Sequence, residues 1–561
     1  MILAKKKHHL VTIISVVLLC SFAFITMHSN YITTSDDTYF HAQRIFEIRT
    51  AFRSFSLPSW VNFLTFHHSG VAINSMYPDI TLWPLVLLTN WLSPIHQIIL
   101  IRLIIAILTY FVTYFSIAKH FDEISATYIA SLYTLSGSVF RNFYVTLQPG
   151  KALPLIVLFP VLFVGKNIIY SQKTDIKSAT KLALLNTFVI YSHFMSIFVM
   201  QLILGITLFI RLIHTRNLYS LYNWGLSILF LIPTSLPVIF RYYTISSNGI
   251  LPPFSFGNVS TTNFIDLFVQ SSWDATASLS IISLVMLSLV AFNLDHEKLK
   301  LLLPYIYLEI VIIVLGTNLA PWSLLQKLPL FANAQMTNRF TFFAGAVPLI
   351  IFLINFTRKA RISILRVIFC VAVFASASLF FSFYYNAQKN LVTVSSETKD
   401  YITTNTVNLT NSGINSDKIT RNIVPDYLPA QVKTAPNSNG ASLEKSTFNK
   451  ILDNQVDVNG KHIPTKLNCT YKNVNFKFLN QIDNDAQIVL PVFGYNTLKY
   501  HVSANGQPVN YHINHSGFIE INNITNPHKI TVSYTYPVLY PYLVIIAMLA
   551  VFALLFVLYH I

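Results

Sequence analysis

Apolar runs of membrane-spanning length recur along most of the chain. A helix needs about 20 apolar residues to cross a bilayer, and most of these runs approach that length. They lie at residues 10–28, 97–118, 124–140, 152–169, 180–195, 197–213, 223–242, 277–293, 301–317, 339–356, 364–384 and 538–560. The pattern predicts a polytopic all-α membrane protein with about twelve spans.

A further apolar segment at 76–94 is short and carries Pro78, Asp79 and Pro84. Basic residues concentrate in links that should be cytoplasmic under the positive-inside rule. These links lie at residues 5–7, 166–181, 211–216, 298–300 and 358–361. They all fall on one side of the membrane if 76–94 does not cross it. We therefore expect a re-entrant or interfacial helix there, packed against protein.

The segment 386–537 is polar and rich in Asn, Thr and Ser. From about Gln487 apolar and polar residues alternate, which predicts β-strands at 488–492, 498–502, 518–521 and 530–534. Asn505-Gly506 between two such runs predicts a tight hairpin turn. Residues 402–450 should be partly irregular. We expect a membrane domain at 1–385, a β-rich domain at 386–537 and a C-terminal anchor at 538–561.

The same topology places the N-terminus in the cytoplasm and residues 386–537 outside the cell membrane. Residues 10–28 are expected to remain as an uncleaved anchor, because no small-residue cleavage site follows them. The loops 29–96, 141–151, 243–276 and 318–338, with a turn near His193, should share the outer face. That arrangement favours an extracytoplasmic active site.

The composition agrees with a membrane location. The chain has 561 residues, of which 53% are hydrophobic and 11% charged, whereas soluble domains carry about 25% charged residues. The net charge of +16 comes from the links between apolar runs, so no nucleic-acid partner is expected. Three cysteines supply neither a disulfide framework nor a cysteine-rich metal site. No nucleotide-binding loop, zinc-protease or serine-hydrolase motif is present.

Costly charges cluster just after the first apolar run. Asp36, Asp37, His41 and Arg44 fall within ten residues, and charges beside hydrocarbon are rare unless they have a role. On a helix the last three share one face, with Ser35 or Asp36 as the cap. Asp37 could act as a general base or hold a divalent cation, and an arginine suits a phosphate. The alternative is an ion-pair cluster that only stabilises the helix start.

Three cations on the predicted outer face break the charge rule. Arg141 and Lys151 lie in one loop, and Arg339 follows Gln335 just before a late apolar run. An anionic ligand such as a lipid phosphate or pyrophosphate would explain them. The alternatives are chance for the loop and, for Arg339, an interfacial side chain that reaches to water.

Two further residues are candidates with ordinary structural alternatives. Asp79 follows Tyr77-Pro78, a sequence that is also typical of a helix start. His193 lies at the outer end of an apolar run, where a lone histidine often only packs or forms a hydrogen bond.

These residues carry a family resemblance. Residues 37–45, DTYFHAQRI, are similar to the D-T-x-F-H-x-x-R-I signature of bacterial YfhO-like membrane proteins, within the GT-C glycosyltransferase superfamily. In order along the chain, 77–79 resembles the family's Y-P-D, 335–340 its Q-x-x-x-R-F and 502–506 its V-x-x-N-G hairpin. A departure occurs at Lys151, where the family carries glutamate.

The resemblance implies a GT-C-like fold and a sugar donor linked to polyprenyl phosphate, with a cell-envelope polymer or lipid as acceptor. It implies that Asp37 is the catalytic base or a metal ligand. A divalent cation is thus an alternative rather than an assigned cofactor. In this scheme His41 orients Asp37 or the donor. The lipid phosphate would be bound by Arg44, Arg141, Lys151 and Arg339, with support from Asp36, Asp79, His193 and Gln335.

Other functions remain open. A lipid or polysaccharide transporter or flippase predicts ionisable residues at the bilayer midplane and inverted repeats, whereas the charges noted above sit at the ends of the apolar runs. A non-catalytic envelope scaffold would use the β-rich domain alone. An inactive relative of the glycosyltransferases is a further alternative, because of Lys151.

Overall fold

The computed structural model describes residues 2–35, 37–251, 259–272, 279–328, 331, 334–388, 391–404, 406–420, 423–437 and 440–560. Its membrane part is helical, as the apolar runs predict, and its C-terminal part is rich in β-strands. The helices of the membrane part are α1 (Ile2–His28), α2 (Thr38–Arg53), α3 (Ile73–Met76), α4 (Trp83–Thr89), α5 (Pro94–Ala118), α6 (Glu123–Leu135), α7 (Gly137–Tyr144), α8 (Pro149–Ile156), α9 (Leu158–Ile169), α10 (Ile176–Ile190), α11 (Phe194–Thr215), α12 (Leu218–Ser246), α13 (Phe264–Ser272), α14 (Ile281–Phe292), α15 (Leu299–Leu315), α16 (Trp322–Leu325), α17 (Asn338–Thr341), α18 (Val347–Asn355) and α19 (Arg358–Gln388).

The β-rich part contains one further helix, α20 (Lys445–Leu452), and is followed by the apolar C-terminal helix α21 (Tyr540–His560). Its strands, with β1 from the first loop, are short. They are β1 (Tyr31–Thr33), β2 (Thr393–Val394), β3 (Asn408–Thr410), β4 (Thr434–Asn437), β5 (Gly440–Leu443), β6 (Val456–Val458), β7 (Lys461–Ile463), β8 (Thr465–Cys469), β9 (Asn473–Phe478), β10 (Ala486–Phe493), β11 (Lys499–Ala504), β12 (Gln507–Pro508), β13 (His512–Ile513), β14 (Phe518–Ile524) and β15 (Lys529–Thr535).

Six helices in the described residues are long and apolar enough to cross a membrane, or seven if α8 and α9, bent by 55°, count as one broken span. The chain is therefore a multi-pass membrane protein, but twelve spans are not confirmed. The runs predicted at 124–140, 277–293 and 339–356 form helices α6, α14 and α18 of 13, 12 and 9 residues. At 1.5 Å per residue, each is shorter than the roughly 30 Å of a bilayer core.

The segment 76–94 contains no spanning helix. It forms a short 3₁₀ turn at Ile80–Leu82 followed by α4, which has seven residues. Pro84 stands at the start of α4, where a missing backbone N–H costs little. Leu87, Leu88 and Trp91 on this segment are exposed.

The directions of the helices place the candidate site residues and the basic links at opposite ends of the membrane part. Helix α11 begins beside His193 and ends near Arg211. Arg339 lies in α17, before α18, whereas Arg361 lies after α18. Arg361 pairs with Asp122 at the start of α6, at 2.9 Å. The basic links therefore lie at the far ends of the helices whose near ends carry the candidate site residues.

Two antiparallel five-stranded sheets form the β-rich part, in the orders β13-β14-β10-β6-β7 and β12-β11-β15-β9-β8. One hydrophobic cluster contains buried residues of both sheets, such as Ile488 and Ile530. The predicted alternation after Gln487 is confirmed by β10, β11, β14 and β15. The predicted hairpin turn is also confirmed, since Asn505 and Gly506, both with positive φ, join β11 to β12.

The first loop of the membrane part packs on the β-rich part. Strand β1 pairs antiparallel with β3, and β2 joins β3 in parallel. Trp60, Phe63 and Phe66 of the loop are buried in the same hydrophobic cluster as the two sheets. The β-rich part is thus held against the end of the membrane part that carries the α2 segment.

Candidate functional site

Asp37 stands directly before α2 and is exposed. The Thr38 hydroxyl donates to the carbonyl of Thr146 at 2.8 Å, which fixes the start of α2 on the loop after α7. From the same loop the Gln148 side chain donates to the Asp37 carboxylate at 3.0 Å. This carboxylate is thus oriented by one amide and open to the surroundings.

The prediction that Ser35 caps α2 is wrong. Asp37 occupies the N-cap position and makes no side-chain capping bond, so its carboxylate is turned away from the first helical N–H groups. The Ser35 hydroxyl donates instead to the carbonyl of Val145 at 2.9 Å. Asp36, the other predicted cap and a supporting site residue, lies outside the described residues.

Arg44 is fully buried and binds protein groups. Its Nη2 donates to the carbonyls of Tyr77 and Pro78, both at 2.9 Å, and its guanidinium lies 4.2 Å from the centre of the Tyr77 ring. The prediction that Arg44 binds a donor phosphate does not fit this placement, because both the burial and these bonds withhold the guanidinium from a ligand. Arg44 instead holds the Tyr77-Pro78 turn against α2.

His41 is also buried, and its Nδ1 lies 3.2 Å from Arg44 Nη1. Because an arginine only donates, Nδ1 is the acceptor and the proton of the neutral ring sits on Nε2. Burial lowers the pKa of His41 well below its usual value, and the positive charges of Arg44 and Lys151 add to this effect. His41 therefore stays neutral near pH 7.

The Tyr77 ring connects several elements of the site. Its centre is 5.2 Å from the ring of His41 and 5.2 Å from the ring of His193, at the start of α11. A Cβ atom added at Gly150 would lie 2.2 Å from the Tyr77 hydroxyl. Glycine is needed at that position because the tyrosine passes directly over the backbone of α8.

A cavity of about 100 Å³ opens beside this cluster, between the starts of α8, α11 and α17. Its lining mixes polar and apolar side chains. The polar ones include Lys151, His193, Ser196, Asn338 and Arg339, and the apolar ones are Met195, Val199, Leu267, Phe342 and Phe343. The Nη1 atom of Arg339 is buried and has no hydrogen-bond partner. The residues that line the cavity thus include an arginine with an unused donor and a lysine, a pair of cations that suits an anion.

Electrostatics link the cavity to Asp37. Burial lowers the pKa of Arg339, and the nearby Tyr427, Tyr77 and Asp37 groups oppose that effect. Burial likewise lowers the pKa of His193 well below its usual value, with Arg339 and Lys151 adding to it. A neutral His193, whose Nδ1 lies 2.7 Å from the Ser196 hydroxyl, leaves Arg339 and Lys151 as the cations of the cavity.

Asp79 belongs to a separate and closed ion pair. It is fully buried, with Oδ1 at 2.9 Å from Arg241 Nη1 and Oδ2 accepting from Trp83 Nε1 at 3.0 Å. Arg241 also donates to the carbonyl of Asn74. This pair ties α12 to the first loop, so Asp79 supports the site by holding that loop in place. Arg241 was not predicted from the sequence, although a charge inside the apolar run 223–242 was a signal.

Arg141 and Gln335 are not among the described residues that line the cavity. Arg141 is half-buried in α7, and its carbonyl accepts the N–H groups of Val145 and Thr146. Gln335 has a φ of 61°, and its carbonyl accepts the N–H of Ser260 at 3.0 Å. Both residues shape loops next to the site.

Two ionisable groups inside the membrane part were also overlooked. Glu309 lies in the middle of α15, is 4% exposed, and neither of its carboxyl oxygens has a hydrogen-bond partner. Arg102 lies within α5 and is equally buried. The prediction that charges sit at the ends of the apolar runs is therefore wrong for these two residues.

The described residues contain no group of three or more His, Cys, Asp or Glu side chains that could hold a metal ion. Among the described residues, only the amide of Gln148 is hydrogen-bonded to the Asp37 carboxylate. Divalent cations such as Ca²⁺ and Mg²⁺ need about six oxygen ligands. The donor set around Asp37 does not fit a site built from protein groups.

No protein-family model matches the sequence, and no curated protein matches it significantly. The chain is similar to two solved structures of the arabinofuranosyltransferase AftD from Mycobacteria, each with a TM-score of 0.42. The first is 15% identical and is matched over 67% of this chain and 27% of its own; the second, a mutant form, is 11% identical over 88% and 42%. The chain thus spans less than half the length of either structure. Likeness at this level is weak and assigns no substrate.

Proposed function

We propose that the protein is a GT-C-type membrane glycosyltransferase of the YfhO-like family, which moves a sugar from a polyprenyl-phosphate donor to a cell-envelope acceptor hydroxyl on the extracytoplasmic face. The motif resemblance suggests the class. The observation that carries the proposal is an exposed carboxylate, Asp37, that acts electrostatically on Arg339, which lines a cavity together with Lys151 and whose Nη1 has no hydrogen-bond partner.

In the proposed reaction Asp37 accepts the proton of the acceptor hydroxyl. The acceptor oxygen then forms a bond to the anomeric carbon, while the bond from that carbon to the phosphate oxygen breaks. The lipid phosphate leaves with the electron pair, and its charge is stabilised by Arg339 and Lys151. Gln148 orients Asp37 through the 3.0 Å hydrogen bond.

The mixed polar and apolar lining of the cavity supports a lipid-linked donor. Phosphate requires cations, whereas an isoprenoid chain requires an apolar path to the bilayer. Arg339 is followed by Phe342 and Phe343, which line the same cavity. Phosphate and chain would therefore lie side by side along α17, with the sugar directed toward Asp37.

The remaining candidates have positioning roles in this proposal. His41 and Arg44 hold the Tyr77-Pro78 turn, and Asp79 holds the first loop through Arg241. None of them needs to touch the substrate. His193 supports Tyr77 and lines the cavity as a neutral group.

The test is sugar transfer by membranes that contain the full-length Asp37→Asn variant. The donor is the pool of polyprenyl-phosphate sugars extracted from the producing cells after metabolic labelling with radioactive glucose. General-base catalysis contributes about 10²–10⁴-fold, so transfer to envelope polymer should fall at least 100-fold. Asp483→Asn, an exposed carboxylate of the β-rich part, is the control and should retain full transfer. Unchanged transfer by Asp37→Asn would refute the proposal.

Lipid or polysaccharide transport is the second candidate, because one observation favours it. Glu309 is a buried and unpartnered carboxyl in a helix of the membrane part, the kind of group that proton-coupled carriers use. If transport is the function, Glu309→Gln should abolish movement of a fluorescent polyprenyl phosphate across proteoliposomes, and no new glycosidic product should form. If the protein is a transferase, wild-type proteoliposomes should form the product and Asp37→Asn should not.

A further inference from the structure

One sheet of the β-rich part carries basic side chains and no acidic ones. It consists of β12, β11, β15, β9 and β8, in that order. These five strands, all of them described by the structure, contain four lysines and one histidine but no aspartate or glutamate. The other sheet contains Asp457, which pairs with Lys450, and Glu520. The excess of positive charge is therefore a property of one sheet.

Three of the four lysines stand in one line across this sheet. Lys529 of β15 lies opposite Lys477 of β9, which in turn lies opposite Lys466 of β8. Opposite residues of antiparallel strands project from the same face, and all three side chains are exposed. Because neighbouring strands are about 4.8 Å apart, the line is about 10 Å long at the backbone. We call these three residues the lysine row.

The lysine row has no neutralising partner in the described part of the chain. None of its members forms an ion pair with a carboxylate there. Asp483 and Asp485, the carboxylates closest to Lys477 along the chain, form no ion pair with it either. Like charges directly opposite each other destabilise a sheet. The lysine row is therefore a cost to folding that a bound anion would offset.

The lysine row lies at the end of β15 that is far from the apolar helix α21. Strand β15 begins at Lys529 and ends at Thr535, and α21 begins at Tyr540. The residue after β15 contacts the first loop, since the Tyr536 hydroxyl donates to the Pro58 carbonyl at 2.9 Å. A strand rises about 3.3 Å per residue, so Lys529 is about 20 Å from Thr535. Salt screens charges beyond about 8 Å, so this separation favours a partner in solution over lipid headgroups.

Three positive charges in a line suit a chain of negative groups. A compact anion contacts one or two of them, whereas a linear polymer that crosses the strands contacts all three. Lysine binds such groups as a point charge, without the fixed geometry of an arginine. We propose that the lysine row binds a linear anionic polymer of the cell envelope, in which phosphate or carboxylate groups repeat along the chain. The inference goes beyond the proposed function, because such binding needs no catalysis and the lysine row does not line the cavity.

The experiment measures binding of the purified full-length protein, in a nonionic detergent, to immobilised long-chain polyphosphate and to immobilised polygalacturonate. The wild type should bind at least one of them, and the polymer that binds more tightly identifies the anion. The Lys466→Gln/Lys477→Gln/Lys529→Gln variant should bind that polymer roughly 100-fold more weakly at about 0.1 M salt. The slope of log affinity against log salt should become smaller by about 2, because each neutralised charge on a single-stranded polyanion contributes about 0.7.

A second triple variant controls for the net charge. Lys399, Lys445 and Lys461 are exposed lysines outside this sheet, and Lys399→Gln/Lys445→Gln/Lys461→Gln removes the same charge. This variant should bind the polymer nearly as well as wild type. Asp37→Asn should also bind the polymer as wild type does, so the result does not depend on whether the protein transfers sugar.

Lysine acetylation followed by mass spectrometry gives a second readout on the unaltered protein. The preferred polymer should protect the lysine row from sulfosuccinimidyl acetate, while Lys399, Lys445 and Lys461 stay reactive. Orthophosphate or galacturonate, at the same concentration of anionic groups, should not protect the row. This readout requires no substitution, so it does not depend on the folding of a variant.

Four results would overturn the proposal. The wild type would bind neither polymer, or the two triple variants would lose binding equally. Protection by orthophosphate or galacturonate would indicate a site for a single small anion. Protection of the lysine row in nanodiscs of phosphatidylglycerol without added polymer would assign the row to lipid headgroups.

Discussion

Burial divides the charged residues of the site into two groups. Arg44 and Asp79 are fully buried and are bonded to backbone carbonyls or to an opposite charge. Asp37 is exposed, and the buried Nη1 of Arg339 has no hydrogen-bond partner. Buried charges without partners are costly, so a ligand is the natural partner of Arg339. Residue types and spacing alone could not make this distinction, because burial and hydrogen-bond partners depend on the complete fold.

The buried carboxyl of Glu47 should make the stability of the protein depend on pH. It is fully buried in α2, and burial raises its pKa to about 7, although the Thr65 hydroxyl donates to it at 2.6 Å. Between its unfolded pKa near 4.5 and about pH 7 the folded protein therefore holds a proton that the unfolded chain has lost. Stability should fall as pH rises through this window, by roughly 3 kcal/mol in total.

Glu47→Gln keeps an acceptor for Thr65 and removes the titrating group. Thermal unfolding in detergent between pH 5 and 7.5 should show the midpoint of wild type falling more steeply with pH than that of Glu47→Gln. Both proteins contain His68, so the difference between them reports Glu47 alone. Burial lowers the pKa of His68, but Asp417 and Cys469 raise it above its usual value. If the unfolding midpoints of the two proteins changed with pH in parallel, the raised pKa of Glu47 would be contradicted.

At the scale of elements, the apolar pattern identified helices well and their lengths poorly. The run 124–140 predicts one span, yet Ser136 ends α6 and Gly137 begins α7. The run 339–356 is interrupted between α17 and α18, which leaves Arg339 at the cavity. Hydropathy averages over such breaks, so it cannot locate them. The strands after Gln487 were predictable because alternation and the Asn505-Gly506 turn are local signals.

The contact between α8 and the first loop, made by Gly150 and Tyr77, should leave no room for a larger residue at position 150. A methyl group at Gly150 would collide with the Tyr77 hydroxyl, so Gly150→Ala should displace the tyrosine and destabilise the protein by about 1–3 kcal/mol. Gly225→Ala in α12 is the matched control. Nothing lies within 4 Å of a Cβ there, and alanine favours a helix, so its unfolding temperature should be unchanged or higher. Equal unfolding temperatures for Gly150→Ala and wild type would contradict the close packing.

At the scale of the whole molecule, the β-rich part and the membrane part meet through pairings that no local pattern signals. Strand β1 pairs with β3 across more than 370 residues of chain, for example Tyr31 with Thr410. The N–H of Tyr427 donates to the carbonyl of Leu251, which is also far away along the chain. Such contacts depend on the complete fold, which is why the sequence did not predict them.

The proposed orientation of the molecule can be measured directly. With the three native cysteines replaced by serine, Ser396→Cys in the β-rich part should react with a membrane-impermeant maleimide in intact cells. His296→Cys, between α14 and α15 at the opposite end, should react only after the cells are opened. Both positions are exposed. The reverse labelling pattern would place the β-rich part in the cytoplasm and contradict an extracytoplasmic site.

In the proposed reaction one carboxylate and one guanidinium share a sugar-transfer site, and the Asp37→Asn variant separates their two roles. Farnesyl phosphate binding and sugar transfer are measured on the same full-length preparation, with Arg339→Gln beside it. Asp37→Asn should keep wild-type farnesyl phosphate binding and lose transfer at least 100-fold, whereas Arg339→Gln should weaken the binding. Sugar transfer at the wild-type rate by Asp37→Asn would contradict the claim.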